Sequence, residues 1–220
     1  MPGGAIRRRR AAFAMLAAAA LATGATARAA TPLESFLDGL DTWRCDFTQR
    51  VVDARGREVE AGAGQLSVQR PGHFRWDYQT AGGDGSEGQL LVADGRNLWF
   101  FDRDLDQVTV KPLGESLSAT PMMLLSASLA ELHAAFEQRD TGRRDGLAWV
   151  RVTPRAQDAE FARADVGFDG ARLARMVVSD KLGQTVTLEF SHAGRNAVLA
   201  AGAFDFKPPA GADVIGKPVP

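Results

Sequence analysis

Leu66-Ser67-Val68-Gln69-Arg70-Pro71-Gly72-His73-Phe74-Arg75-Trp76-Asp77-Tyr78 is the stretch that decides the fold class of this chain. Apolar side chains recur at every second position on both sides of Pro71-Gly72: Leu66 and Val68 before it, Phe74, Trp76 and Tyr78 after it. A period of two belongs to half-buried strands and Pro-Gly is a turn signal, so the stretch predicts two antiparallel strands joined tightly. The pattern continues both ways. Upstream, Trp43, Cys45, Phe47 and Val51 alternate with Arg44, Asp46, Thr48 and Arg50, and Ala54-Arg55-Gly56 reads as a turn. Downstream, beyond a glycine-rich loop at residues 82–88, strands are expected at 89–93, 97–102 and 107–111. They resume at 147–153, 161–168, 173–180 and 184–191, with Asp169-Gly170 and Lys181-Leu182-Gly183 as turns. Phe204 and Phe206 suggest a last short strand, and residues 207–220, rich in Pro and Gly, are expected to be irregular.

Helical spacing replaces the period of two in only two places. Thr31 can cap a helix over residues 32–41, with Pro32 in its first turn and Leu33, Phe36, Leu37 and Leu40 on one face. Thr120-Pro121 is a second helix-start signal, followed by Met122, Met123, Leu124 and Leu125, then Leu129, Leu132 and Phe136. The expected architecture is a mainly β, single-domain antiparallel sheet of about ten strands. A sheet that long tends to curl, and these helices are the cover available for its concave face.

The first 29 residues read as a secretory signal. Arg7 to Arg10 form a positive start, residues 11–21 are apolar and uncharged, and Ala27-Arg28-Ala29 offers small residues for cleavage after Ala29. The apolar run is short of the roughly 20 residues that span a bilayer, which argues against an anchor. The leader holds five of the 26 Lys+Arg and none of the 27 Asp+Glu, so residues 30–220 carry a net charge of −6. That acidic balance points away from nucleic acid as a partner. Cys45 is the chain's one cysteine, so no internal disulfide is possible; it lies in the apolar phase of its strand and far from the cleavage junction.

Catalytic constellations are missing from the sequence. His73, His133 and His192 lie far apart without metal-ligand spacing, and there is no Gly-x-Ser-x-Gly, His-Glu-x-x-His or phosphate loop. No catalytic residue, metal or cofactor is expected, and the protein is read as not an enzyme. Arg70 is unusual because parity places it on the apolar side of its strand, in line with Leu66 and Val68. Either it ends the strand and swings to water, or its guanidinium reaches carbonyls of the helical cover. Phe47, Phe74, Trp76, Met122, Met123 and Leu125 either fill an ordinary core or line one apolar space, for which Met is well suited.

Six segments together resemble the LolA family. They are Phe47-Thr48-Gln49, Arg70-Pro71-Gly72-His73-Phe74-Arg75-Trp76, Val92-Ala93-Asp94-Gly95 with Leu98-Trp99-Phe100, Gln107-Val108-Thr109, Thr120-Pro121-Met122-Met123-Leu124-Leu125 and Phe204-Asp205-Phe206-Lys207-Pro208-Pro209. Their order and spacing hold across nearly all of residues 30–220; the glycine-rich loop is a departure. The resemblance implies an incomplete, half-open antiparallel β-barrel with a short α-helical lid. It also implies a periplasmic chaperone that takes lipid-modified proteins from an inner-membrane ABC transporter, LolCDE, and passes them to an outer-membrane receptor, LolB. By the same resemblance Arg70 latches the lid, Phe74 and Trp76 line the cavity, and Met122 and Met123 face it from the lid. Phe47, Leu66, Val68 and Leu125 complete the candidate acyl-chain site. A monomer is expected. The competing readings are a carrier of the same fold for another lipid or glycolipid and an exported hydrolase.

Overall fold

The computed structural model describes residues 29–82, 88–115 and 121–220. The expected leader and the interior of the glycine-rich loop lie outside the described residues, as does Thr120. The first helix, α1, spans Pro32–Leu37 and begins as its sequence suggests. Thr31 Oγ1 accepts from the Glu34 amide at 3.1 Å, and the Glu34 carboxylate accepts from the Thr31 amide at 2.6 Å, a reciprocal capping box. It ends four residues earlier than expected. Asp38 is already extended and Gly39 turns at φ 60°, a left-handed position that glycine adopts without penalty.

Eleven strands then follow in antiparallel succession: β1 (Thr42–Val52), β2 (Glu58–Gln69), β3 (His73–Thr80), β4 (Gln89–Asp94), β5 (Asn97–Asp102), β6 (Gln107–Pro112), β7 (Phe136–Arg144), β8 (Leu147–Pro154), β9 (Phe161–Asp169), β10 (Arg172–Asp180) and β11 (Thr185–Arg195). A twelfth, β12 (Asp213–Ile215), pairs in parallel with β6. The order across the sheet is β12-β6-β5-β4-β3-β2-β1-β11-β10-β9-β8-β7, so β12 and β7 are free edges and the sheet does not close. Between β6 and β7 the described residues form a short 3-10 helix (Leu113–Glu115) and two short α-helices, α2 (Met123–Ser126) and α3 (Leu129–Ala135). Helix α2 packs over β2 and β3, α1 over β8, and α3 beside β7.

The sheet has twelve strands rather than about ten, and the differences have physical causes. Residues 137–144 give no strand signal, because β7 is an edge whose Glu137, Arg139, Asp140, Arg143 and Arg144 are exposed. Charge on an edge blocks further pairing and also erases the alternating signal. Phe136 opens this strand instead of closing a helix. Phe204 and Phe206 form no strand; they pack on the outer face of β4–β6 with Trp99, Val108 and Val110. The tail expected to be irregular contains β12, held where Val219 exchanges hydrogen bonds with the Asn97 side chain at 2.7 and 3.2 Å.

The core therefore has two parts. The larger lies between the inner face of the sheet and the three helices, and includes Leu33, Phe36, Phe47, Phe74, Leu125, Phe136 and Phe190. The smaller lies outside, under the C-terminal segment. Strands β4 and β5 are buried on both faces, so Leu90-Leu91-Val92 and Leu98-Trp99-Phe100-Phe101 are continuous apolar runs rather than alternating ones.

Candidate functional site

Arg70 stands one residue beyond β2, and both sequence readings of it hold in part. It ends its strand, and it swings toward the helices rather than to water. Its Nε and Nη2 donate to the Ala127 carbonyl at 3.0 and 2.7 Å, and its Nη1 donates to the Leu37 carbonyl. Leu37 is the last residue of α1 and Ala127 caps α2. Carbonyls at helix ends lack intrahelical donors, so one guanidinium satisfies the ends of two helices at once. Close by, the Gly72 amide donates to the Ser126 carbonyl at 3.0 Å. Burial, and then repulsion from Arg195, weaken the hold of Arg70 on its proton, while Asp41 and Glu131 oppose this; an arginine stays charged regardless.

Sequence reasoning missed three partners of this latch. Arg195, the last residue of β11, donates to the Phe36 and Asp38 carbonyls and lies 5.8 Å over the Phe36 ring. Asn196 donates to the Gly39 carbonyl at 2.9 Å and accepts from the Asp41 and Thr42 amides. His133 Nε2 on α3 meets Glu34 Oε1 on α1 at 2.6 Å. Burial disfavours the Glu34 charge, but the Thr31 amide, His133 and the Thr31 hydroxyl outweigh it and hold the carboxyl below its ordinary range. Nothing in their local sequence marks these residues, since each acts on a partner about 100 or more positions away.

A cavity of about 560 Å³ lies beneath the lid, walled by Trp76, Leu91, Leu98, Phe100, Met122, Phe161, Val178 and Leu188. Its walls include β5 and β6 on one side and β9 and β10 on the other. In a flat sheet β6 and β9 would stand eight strand spacings apart, roughly 38 Å; sharing one cavity requires the sheet to curl into a trough. Three polar residues of the lining lie at strand ends, Gln89 beginning β4, Asp180 ending β10 and Glu160 preceding β9, while Gln49, Thr109 and Lys111 lie within β1 and β6. Arg70 and its carbonyl partners lie at the opposite end of the strands from Gln89, since His73 pairs with Asp94 while Tyr78 pairs with Gln89. A roomier groove of about 950 Å³ crosses β11, β1 and β2, but Asp46, Thr48, Arg50, Gln65, Glu189 and His192 line it, which suits water rather than hydrocarbon.

Of the nine candidate residues, Trp76 and Met122 line the cavity. Phe47 stacks on Trp76 at 5.4 Å, and Trp76 on Tyr78 at 5.2 Å. Gly64 permits this: a Cβ there would meet Phe47 Cζ at 2.7 Å and the Asp77 carbonyl at 2.0 Å. Leu66, Val68, Phe74, Met123 and Leu125 are closed into the packed core, each no more than 1% exposed. Cys45 is buried beside them, and burial together with Asp46 pushes its thiol well up, away from the thiolate.

The family model of the outer membrane lipoprotein carrier protein LolA matches residues 38–207. This chain belongs to the LolA family. Its curated relatives include the outer-membrane lipoprotein carrier proteins of Dechloromonas aromatica, 38% identical over 88% of this chain and 90% of that one, and of Methylibium petroleiphilum, 40% identical over 92% and 97%. Among solved structures, an uncharacterized conserved protein from Thermus thermophilus shares the fold, with TM-score 0.50 and 16% identity over 84% of this chain and 96% of that one. For this LolA-family chain the match takes in Arg70, the cavity walls, α2 and α3, and begins just after α1. It stops just short of β12.

Proposed function

We propose that this protein is an exported, periplasmic chaperone that shields the acyl chains of outer-membrane lipoproteins, accepting them from a LolCDE-like inner-membrane transporter and delivering them to a LolB-like receptor. The observation that carries this reading is a largely apolar cavity bordered by Met122 at the start of α2, with one arginine joining the C-terminal ends of α1 and α2 over the same sheet. The names of the curated relatives support the lipoprotein cargo. Among the described residues the cavity lining holds no serine, cysteine or histidine, which supports a carrier over a hydrolase.

The energetics suit a carrier. At roughly 30 Å³ per methylene-sized group, the 560 Å³ cavity has room for about 19 methylenes, one long acyl chain. Burial of each methylene stabilises by about 0.8 kcal/mol, so unshielded cargo does not cross water. A cargo with several chains has to displace the lid, and a closed state that competes with cargo lowers its apparent affinity and assists hand-over. Arg70, Phe47, Leu66, Val68, Phe74, Trp76, Met122, Met123 and Leu125 form this site in our reading: the latch, the stacked wall and the packed face that opening uncovers.

The test mixes purified residues 30–220 with spheroplasts labelling their lipoproteins. Release of labelled lipoprotein into the soluble fraction, bound to this protein, is the expected result. Folded protein that releases none defeats the lipoprotein reading; lipid extraction and mass spectrometry of the protein purified from cells then identify another lipid cargo.

A further inference from the structure

Trp76 carries an unexplained donor. The residue is 8% exposed and lines the cavity. Its Nε1–H is covered and has no hydrogen-bond partner among the described residues. Two other tryptophans show the usual solution: Trp99 Nε1 donates to Asp94 Oδ2 at 2.7 Å, and Trp149 Nε1 to the Arg144 carbonyl at 3.0 Å. A buried indole N–H is a donor only, and leaving one unpaired is costly enough to call for a cause.

The ring is not free to find a partner. Phe47 and Tyr78 stack on Trp76 with interplanar angles of 10° and 4°. Its cross-strand neighbours are Leu66 and Leu91, which have no side-chain acceptor. The remaining donors of the lining, Gln49, Gln89, Thr109 and Lys111, are partly or fully exposed and can be served by water. Trp76 is thus a fixed, covered and unpaired donor in a cavity whose lining is mostly, not wholly, apolar.

We infer that, once cargo displaces what covers it, Trp76 donates its indole N–H to the carbonyl of an acyl linkage, ester or amide, of the lipid held in the cavity. The inference rests on the lipid-carrier reading and adds to it a point of polar recognition. The acceptor is neutral, because ionised carboxylates are expensive to bring into apolar surroundings and Asp180 and Glu160 already line the same cavity. Hydrocarbon alone satisfies the apolar part of the wall; the carbonyl sets how deep the chain sits, since it must stop beside the indole.

The experiment compares dioctanoylglycerol, which has two ester carbonyls, with its ether-linked counterpart dioctylglycerol, on the wild-type protein and on Trp76→Phe. Phenylalanine keeps the stack and removes the donor. The ester-to-ether affinity ratio of the wild type is expected to exceed that of Trp76→Phe by roughly 5- to 10-fold, the net worth of one hydrogen bond. In wild-type protein, which needs no variant to fold, the Trp76 indole N–H resonance should move downfield with the ester and stay with the ether. Equal ratios in the two proteins, or an indole resonance indifferent to the carbonyl, overturn the inference and leave the carrier reading standing. Binding of neither lipid overturns both.

Discussion

Replacing Arg70 with leucine removes the latch while keeping the apolar side of the residue. Three N–H groups are lost, two from the Ala127 carbonyl and one from the Leu37 carbonyl. Hydrogen bonds to charged groups are worth about 1.5–3 kcal/mol each. Two subtractions apply here: Arg70 is only half-buried, so water replaces part of what is lost, and its loss relieves repulsion from Arg195. About 2–3 kcal/mol is left for the closed lid, which is roughly 30- to 150-fold in the ratio of closed to open forms. Amides of Met123–Ser126 and Leu129–Ala135 should then exchange hydrogen faster by a factor in that range, while those of the central strands do not change. The melting temperature should fall by no more than about 12 °C, since 1 kcal/mol shifts a domain of this size by roughly 2–4 °C. In the spheroplast assay the variant should still load, and should hold its cargo longer, because the closed state no longer competes. Unchanged exchange in the two helices, or loading and transfer at wild-type rates, would refute the reasoning.

Three further outcomes are expected. Affinity for single-chain lipids should rise about fourfold per methylene, the equivalent of about 0.8 kcal/mol, and level off near about 19 carbons, where the 560 Å³ cavity is full; titration across chain lengths checks this, and a rise without a plateau counts against the cavity. Gly64→Ala should destabilise by about 1–3 kcal/mol, because its Cβ would stand 2.0 Å from the Asp77 carbonyl and 2.7 Å from Phe47 Cζ; denaturant unfolding measures it, and a neutral variant shows the stack to be looser than described. Acid should loosen the turn between β4 and β5, where Asp94 accepts from Arg96, Asn97 and Trp99. Burial opposes the Asp94 charge, but Trp99 and the Asn97 and Arg96 amides hold its carboxyl below the ordinary range. Its folded pKa therefore lies under its unfolded one, so its contribution is complete above about pH 5 and drains away as the pH falls through and below about 4. Asp94→Asn should weaken the fold at neutral pH and flatten this acid limb; identical acid limbs would exclude Asp94 as their source.

Much of the fold is legible in the chain because strands with one wet face write a period of two. For that reason the expected limits of β1 and β3 fall close to the observed ones. The misses fall where another rule governs. β7 is written in charge because it is an edge, and part of the front of β2, residues 61–64, is written in small residues because the rings of Phe47 from β1 and Tyr78 from β3 lie over it. The outer core is hidden for the opposite reason: two buried faces turn alternation into an unbroken apolar run, and Leu98-Trp99-Phe100-Phe101 is such a run. That signal is present in the sequence and points to a cover on the outside, which Phe204 and Phe206 provide. Arg70 is legible because its parity is wrong for its chemistry. Arg195 is not, since an arginine at the polar end of a strand looks like any other.

The lid's three helices have six, four and seven residues, all too short to be stable alone. Their closure depends on what they touch: the core beneath α1 and α2, and a few polar contacts at their ends. Those contacts are unevenly shared. Helix α1 is gripped by Arg70, Arg195 and Asn196 together, whereas side-chain bonds hold α2 through Arg70, and α3 through the pair of His133 and Glu34 and through Arg155, which donates to the His133 carbonyl at 3.3 Å. Loss of Arg70 therefore frees α2 while Arg195 still holds α1. Opening should accordingly be one-sided, with α2 and α3 leaving the sheet and α1 staying as the fixed jaw. A lid built this way can yield because few polar contacts hold α2 and α3 at their ends, and the apolar side chains they bury, Met123 to Leu125 and Leu132, are ones that a bound acyl chain of the proposed cargo would cover in their place.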